Sequence, residues 1–302
     1  MKIQIKTLGR CVSLALSVAF AAEAVGQTDS ALVSGERPMV TQHSFVVGVG
    51  TSNILDTYLS PLEYKGTQYS LQRETFRMTN MAKGRIAAQS LFRLVGGLTD
   101  NRAETGSQLS TMLSYNIGWL YQFPVTERLK LYAGGLLDAN LGAVYNTRGS
   151  NNPAQAKAFA SITASGMATY RFRLAGIEFD ARYQMFVPMV GVAFAPEYGQ
   201  SYYEIFSLGN SEGTVHVTTP FTMPTMRHLL TLDFPVSSAV LRVGYMGNFD
   251  QTHISGLKWH SYSHSFVVGF VKTFQVMRSR KRSLPAVDGG SLNCSTAKSE
   301  SR

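Results

Sequence analysis

Two residues near the end of the chain have the types and the spacing for nucleophilic chemistry. His253 stands two positions before Ser255, so on one β-strand both side chains would lie on the same face. A histidine beside a serine can act as the base that activates the hydroxyl for attack. No neighbouring carboxylate or carboxamide that would orient the histidine is identifiable, and polar residues at a membrane interface would account for the same pattern. His253 and Ser255 are therefore only weak catalytic candidates.

Metal and cofactor chemistry finds less support. His260 and His264 also share a strand face, but no cysteine or further ligand cluster accompanies them. The chain has no P-loop, dinucleotide fingerprint, HExxH or CxxC motif. The spacing of His253 and Ser255 is similar to that of outer-membrane phospholipases and lipid A deacylases, and the likeness is confined to this fragment. We predict no metal and no other cofactor.

Charged residues alternate with apolar ones along several segments, among them residues 177–185. If the polar faces point inward, a narrow β-barrel would gather Arg73, Arg77, Arg93, Arg171, Arg173, Arg182, Arg242, Asp138, Glu178, Asp180 and Asp233 in its lumen. Such charges must be paired or hydrated, because an unpaired charge in a dry interior is strongly unfavourable. The sequence predicts a plugged, salt-bridged lumen, with a conducting, anion-attracting channel as the alternative.

The segments that would hold these residues have the period of two that is typical of β-strands. In residues 113–123, large apolar side chains occupy every odd position, and residues 259–274 close on Phe274 with the same alternation. Aromatic residues concentrate near the predicted turns, as in the interfacial girdles of membrane barrels. The pattern predicts an all-β fold, a transmembrane antiparallel up-and-down β-barrel of ten to twelve strands.

Connection lengths support this fold and leave the number of strands open. Tight turns alternate with long connections, of which residues 52–65 and 195–225 are examples. Residues 201–206 and 214–218 are interpreted as a hairpin that either rises above the membrane or adds two strands. In the same loop, Tyr202, Tyr203 and Phe206 are candidates for an outer-loop contact surface, since binding residues favour loops on a rigid scaffold. Packing of these rings over the lumen is the alternative.

The two ends of the chain predict export to the bacterial outer membrane. Residues 1–26 have the cations, apolar core and small-residue cleavage options of a signal peptide. We expect a periplasmic segment at 27–39, the barrel at 40–275 and a disordered basic periplasmic tail at 276–302. Removal of the signal would leave Cys294 as the only cysteine, which excludes an intramolecular disulfide.

The formal net charge of +9 does not make nucleic acid a predicted partner, because several of the cations lie in the signal and the tail. Outer-membrane lipid is the expected partner, while a small-molecule or protein ligand stays unidentified. A basic tail beside a membrane could touch anionic lipid or other envelope polymers, with a solvated end as the alternative.

Residues 57–66, 199–204 and 241–245 carry a resemblance to a known family. The chain resembles an uncharacterised outer-membrane β-barrel family of Bacteroidales-type envelopes, a domain of unknown function. The resemblance implies a barrel and a location but no activity, ligand or functional residue. We therefore expect a structural, binding or transport-accessory role through the outer loops, with a small-solute channel or porin as one alternative and a lipid-modifying hydrolase as another.

Overall fold

The computed structural model describes residues 39–149, 153–237 and 239–276. The predicted signal peptide, nearly all of the predicted periplasmic segment, and the tail from residue 277 onward lie outside the described residues. The strands are β1 Met39–Asp56, β2 Ser60–Met78, β3 Ile86–Asn101, β4 Ser107–Pro124, β5 Leu129–Asn146, β6 Ala154–Leu174, β7 Ile177–Phe194, β8 Val215–Thr218, β9 Met226–Val236, β10 Ala239–Ile254 and β11 Leu257–Val276.

Ten of these strands form a closed antiparallel barrel. Each pairs with its neighbour in sequence, except that β7 pairs with β9 over its first half and with the short β8 beyond it, and β1 pairs with β11 to close the ring. The predicted up-and-down barrel is confirmed at ten strands. Residues 214–218 contribute only the four-residue β8, which extends the wall beside β7 without adding two full strands.

Side chains alternate between an apolar outer wall and a packed lumen. On β4, Trp119 is 60% exposed and points outward, while Leu120 is fully buried inside. On β11, Phe266 is 59% exposed and Val267 is 1% exposed. In both segments the apolar face lies outside, as a transmembrane barrel requires: the apolar odd-numbered residues of β4 and even-numbered residues of β11 face outward.

The barrel has a turn end and a loop end. At the turn end β1 begins, β11 ends and the connections include residues 125–128 and 175–176. At the loop end lie the described connecting residues 57–59, 102–106, 147–149, 153, 195–225 and 255–256. The predicted long loop at 52–65 is wrong, because β1 and β2 continue to a turn of only three residues. Residues 52–56 and 60–65 mix polar and apolar side chains on both faces of their strands, so in sequence they resemble a loop.

The predicted strand at residues 201–206 is also wrong. Tyr202–Phe206 is a short helix, α1, and it begins with a capping box in which the Ser201 side chain accepts from the backbone N–H of Glu204 while the Glu204 carboxylate accepts from the backbone N–H of Ser201. A 3₁₀ turn spans Met81–Lys83. Neither helical segment among the described residues is long and apolar enough to cross a membrane.

Glycines permit close approach between β4 and β5. A Cβ atom on Gly134 would stand 2.0 Å from the carbonyl oxygen of Trp119, and one on Gly118 would stand 2.2 Å from that of Gly135. Since no side chain fits at these distances, glycine is required for the β4–β5 contact.

Candidate functional site

The turn end of the lumen is closed by an apolar cluster. Phe76, Leu91, Leu120, Tyr132 and Met167 are buried against one another, and the rings of Phe76 and Tyr132 meet edge to face with centroids 5.6 Å apart. These side chains come from the ends of β2 to β6 nearest the turns. Apolar side chains from five strands therefore pack together inside the barrel at this level.

Above the apolar cluster, Glu74 is the centre of an ion-pair network. Arg182 donates from Nη1 to Glu74 Oε2 at 2.9 Å and from Nη2 to Oε1 at 2.5 Å. Arg242 donates to the same carboxylate at 3.3 Å and makes two 2.7 Å bonds with Asp233. Gln89 donates to Glu74 Oε1 at 2.6 Å. A carboxylate that accepts from two guanidinium groups and an amide ties β2, β3, β7 and β10 together across the lumen.

The middle of the lumen holds a second network around Arg227. Its Nη1 donates to Asp138 at 2.9 Å and its Nε donates to Asp250 at 3.3 Å. Arg93 donates to the side-chain oxygen of Asn248 at 2.8 Å, and Asn248 donates to Ser263. A cavity of about 10 Å³ beside Arg227 and Asp138 has room for about one water molecule.

The loop end of the lumen holds a buried lysine. Lys157 lies 2.9 Å from Asp56 and donates to Gln155 on its own strand. Its Nζ is 5.0 Å from the centre of the Trp259 ring, and that ring stacks on Phe159 at 5.6 Å. The Lys157 ammonium group therefore packs against stacked aromatic rings, which interact favourably with a desolvated cation.

The described part of the lumen is electrically balanced. Its five cations are Arg93, Lys157, Arg182, Arg227 and Arg242, and its five carboxylates are Asp56, Glu74, Asp138, Asp233 and Asp250. The charges cancel within each network, so the described interior carries no net positive charge that would attract an anion.

The long loop at 195–225 folds over the loop end. Tyr202 accepts a hydrogen bond from the backbone N–H of Ala156, and burial raises the pKa of Tyr202 to about 12. Tyr58, in the β1–β2 turn, donates to the backbone carbonyl of Gln200 at 2.9 Å, and burial raises the pKa of Tyr58 as well. These two contacts tie the loop to opposite parts of the rim.

The predicted contact residues of this loop divide into two kinds. Tyr202 packs between the rings of Phe194 and Phe206 with centroids 6.5 and 6.3 Å away. Tyr203 is 66% exposed and Phe206 is 73% exposed, so both present aromatic surface away from the lumen. Tyr202 anchors the loop, while Tyr203 and Phe206 are available for contact.

The last hairpin does not assemble the predicted His253 and Ser255 pair. Ser255 and Gly256 form the two-residue turn between β10 and β11, with φ of 52° and 73°, and this turn ends the strand alternation that would have aligned the side chains. The Ser255 Oγ instead lies 3.3 Å from Nε2 of His216, on β8. The backbone N–H of His253 donates to the carbonyl of Thr222.

The two histidines considered for a metal site, His260 and His264, lie on the outer wall. His260 stacks on Tyr262 at 4.4 Å, and His264 Nδ1 is hydrogen-bonded to the Tyr245 hydroxyl. Over the described ranges, no group of three or more histidine, cysteine or acidic residues could hold a metal ion.

Family comparison decides where the chain belongs. A family model described as "Protein of unknown function (DUF3316)" matches residues 11–281. The chain belongs to the DUF3316 family. No curated protein matches the chain.

Solved structures similar to this DUF3316 chain are barrels. The outer membrane protease OmpT from Escherichia coli is 8% identical, with a TM-score of 0.42, and the match covers 81% of this chain and 99% of that one. The translocator domain of the autotransporter NalP from Neisseria meningitidis is 10% identical, with a TM-score of 0.39 and coverage of 88% and 95%. Ail of Yersinia pestis, in complex with a heparin analogue, is 10% identical, with a TM-score of 0.33 and coverage of 77% and 99%. At identities this low, no functional residue can be transferred from these proteins to the DUF3316 chain.

The structure divides the charged residues predicted for the lumen into three groups. Those inside the lumen are Arg93, Arg182, Arg242, Asp138 and Asp233. Arg171 pairs with Asp180 at 2.8 Å and Arg173 pairs with Glu178 at 2.6 Å, but all four side chains are water-exposed at the turn end. The inward placement of Arg73 and Arg77 is wrong: both are exposed on the outer wall, since Glu74 between them points inward.

Sequence reasoning missed half of the lumen charges of this DUF3316 chain, namely Asp56, Glu74, Lys157, Arg227 and Asp250. Glu74 stands in the run Gln72-Arg73-Glu74, where both faces are polar and alternation cannot choose the inward one. Asp56 and Lys157 were assigned to loops or left unassigned. Glu74 and its partners Arg182 and Arg242 are 108 and 168 residues apart in sequence, so the pairing carries no local signal.

Proposed function

We propose that this chain is a bacterial outer-membrane β-barrel with a closed lumen, and that it acts through the surface at its loop end. The proposal is supported by the continuous apolar outer wall, on which Leu113, Ile117, Trp119, Leu137 and Ile162 are exposed on three adjoining strands. Side chains of this size exposed over so wide an area require a non-aqueous surrounding. The narrower likeness, to barrels of Bacteroidales-type envelopes, stays a prediction.

Strand lengths support a membrane position toward the turn end. Apart from β8 and β9, the strands have 16 to 21 residues, whereas about 9–11 residues suffice to span a bilayer. The aromatic rings of Tyr170, Phe172, Phe179 and Phe234 form a continuous row beside the turns, as expected at an interface. We place the bilayer next to this row and the loop-end half of the barrel outside the cell. The predicted signal peptide, periplasmic segment and basic tail are part of the same proposal.

The observation that carries the proposal of a closed lumen is its packing by matched charges. An apolar cluster and three neutral ion-pair networks lie in the described lumen, and the cavity beside Arg227 has room for about one water molecule. A small-solute channel, the alternative function, would need a continuous wet path through these side chains. Planar-bilayer recording on the purified, refolded protein tests the choice. We expect no resolvable ion current, and steady unitary conductance would overturn the closed-lumen proposal.

The loop-end location has its own test with a matched control. Tyr203→Cys and Glu127→Cys, each in a Cys294→Ala background, place single thiols on exposed residues at opposite ends of the barrel. A membrane-impermeant maleimide added to intact cells should label Cys at 203 and should label Cys at 127 only after the outer membrane is permeabilised. The opposite labelling would reverse the proposed orientation, and equal labelling of both would argue against a spanning barrel.

The exposed aromatic surface around α1 supports a binding role for this end. Tyr203 and Phe206 present rings that the lumen does not use, and the anchors through Tyr58 and Tyr202 hold the loop in place. A rigid scaffold with exposed aromatic side chains is the usual arrangement of a contact surface.

A lipid-modifying hydrolase is the second candidate, and the contact between Ser255 and His216 is the observation that favours it. Its weakness is that no carboxylate is hydrogen-bonded to the His216 ring in the described part of the chain, so the triad arrangement is incomplete. Incubation of the refolded protein with phospholipid and lipid A substrates tests it. Turnover that Ser255→Ala abolishes would support the hydrolase; unchanged turnover in Ser255→Ala would reject it.

A further inference from the structure

We propose that lipid covers the barrel to a greater height on one side than on the other, and that acyl chains of the outer leaflet reach Val192, Phe206 and Val217. The high side consists of the outward surfaces of β4–β8, with helix α1 beside them, and these strand surfaces are called the tall face. The inference rests on the proposed membrane position and names lipid as the partner of the apolar surface beside α1.

On the tall face, apolar side chains continue far above the turns. Val192, fifteen residues after the start of β7 at Ile177, points outward beside Ala160 of β6 and Val217 of β8. Strands tilted by about 35–45° with about 3.3 Å of rise per residue place Val192 about 35–40 Å above the turn. The apolar band of a membrane barrel is only about 25 Å tall. The tall face therefore extends beyond a bilayer of ordinary thickness.

The upper part of the tall face presents no outward charge in five described segments. These segments are 109–115, 137–145, 156–164, 187–194 and 215–226. Their charged residues are Asp138 and Lys157, and both lie in the lumen. Large apolar side chains are exposed instead, among them Leu141 and Val217, which is 69% exposed. If the leaflet ended at the ordinary level, water would surround these side chains, which is unfavourable for so much apolar surface.

The opposite side of the barrel, formed by β1 and β2, becomes polar at a lower level. Its outward residues there include Asn53 on β1 and Thr67 and Lys65 on β2. The Glu63 carboxylate accepts from the Asn53 amide and pairs with Lys65 at 3.5 Å, so this surface suits water or headgroups. Thr67 is eleven residues from the turn end of β2, which corresponds to a height of about 25–30 Å. Polar residues on this side therefore begin where an ordinary bilayer would end.

Helix α1 lies against the upper edge of the tall face. Phe194, at the end of β7, points outward, since the adjacent Ala193 is 1% exposed and faces the lumen. The Phe206 ring lies 6.2 Å from the Phe194 ring, and the Tyr202 hydroxyl accepts from the backbone N–H of Ala156 on β6. Lipid is the occupant that this arrangement favours, because the surface is continuous with the lipid-facing wall below and its strands offer no charge to a polar partner. A bilayer adapts to a taller wall by local thickening or by tilt of the barrel.

Single-tryptophan variants of the refolded protein in vesicles test the uneven lipid contact. Val192→Trp and Asn53→Trp, each in a Trp119→Phe/Trp259→Phe background, place one indole on each side at a similar height, since Asn53 is fourteen residues after the start of β1. We expect lipids brominated near the glycerol end of the acyl chain to quench most of the Val192→Trp emission, and iodide on both sides of the membrane to quench Asn53→Trp. Iodide quenching of Val192→Trp without lipid quenching, or equal lipid quenching of both variants, would overturn the proposal. Shielding of Val192→Trp from both quenchers would mean that a second copy or another protein covers the face, and would also overturn it.

Two controls guard against misfolding and against failure of the proposed function. Leu141→Trp and Thr51→Trp, each twelve residues from the turn-end start of its strand, form a second pair with the same expected contrast, and gel mobility reports the folding of every variant. Trp119 in the Trp259→Phe protein reports on the lower wall. Lipid quenching of Trp119 but not of Val192→Trp or Leu141→Trp would refute the tall-face contact alone, whereas no lipid quenching of Trp119 would refute the membrane position on which it rests.

Discussion

Replacement of Glu74 by glutamine should destabilise the barrel more than any exposed charge change of the same kind. The substitution keeps size and one acceptor oxygen but leaves Arg182 buried without its carboxylate partner, beside the Gln184 amide and the Phe76 ring. Arg242 retains its two bonds to Asp233. The uncompensated charge is therefore essentially that of Arg182, and breaking a buried pair in this way costs about 3–5 kcal/mol of the free energy of unfolding.

The matched control is Glu178→Gln at the turn end. Glu178 pairs with Arg173 at 2.6 Å, but the side chains are 56% and 67% exposed, so water replaces the lost partner. The expected loss is about 0–1 kcal/mol. Reversible urea unfolding in phospholipid vesicles, followed by tryptophan fluorescence and gel mobility, measures both variants.

A double variant makes the reasoning refutable. Glu74→Gln/Arg182→Gln removes one charge of each sign. Its loss of free energy of unfolding should be smaller than the sum of the losses in the two single variants, with a coupling energy of about 0.5–3 kcal/mol. If Glu74→Gln costs no more than Glu178→Gln, or if the coupling is absent, then the network around Glu74 does not hold the lumen together.

Three further predictions use the same purified protein. Leu137→Arg, in the middle of the lipid-facing wall, should lower the free energy of unfolding in vesicles by about 2–4 kcal/mol, while Leu174→Arg beside a turn should cost about 0–1 kcal/mol; equal costs would contradict the wall. Lys157→Met should cost about 3–5 kcal/mol in urea unfolding by leaving Asp56 unpaired, and adding Asp56→Asn should restore part of it. Burial raises the pKa of Tyr202 to about 12 from 10.0, so its stabilisation of the loop should be lost as the pH rises through this interval, and Tyr202→Phe should remove the corresponding step from a spectrophotometric tyrosine titration.

Clean alternation made the outer wall predictable from sequence. On β4, every odd residue from Leu113 to Phe123 is large and apolar. In a membrane barrel with a polar lumen, this face must point outward. On β2, the run Gln72-Arg73-Glu74 is polar on both faces, and the inward phase is set by partners on β7 and β10. Local pattern could not supply that phase.

The loop end was the least predictable part, because the strand ends there mix polar and apolar residues on both faces. A water-exposed strand has no apolar face to mark it, which is why residues 52–65 were expected to be a loop. Helix α1 did have a local signal, the Ser201-Tyr202-Tyr203-Glu204 capping box, but the aromatic residues around it favoured a strand. The contact of Ser255 with His216 depends on the docking of β8 beside β7 and has no counterpart in local spacing.

Fluorescence quenching of Trp119 by brominated phospholipids tests most directly whether the outer wall meets lipid. In a Trp259→Phe variant, which keeps an aromatic ring against Phe159, all the tryptophan emission comes from Trp119. We predict strong quenching by brominated acyl chains and little quenching by aqueous iodide. Quenching by iodide with no effect of the brominated lipids would contradict a lipid-facing wall, and with it a barrel that spans the membrane.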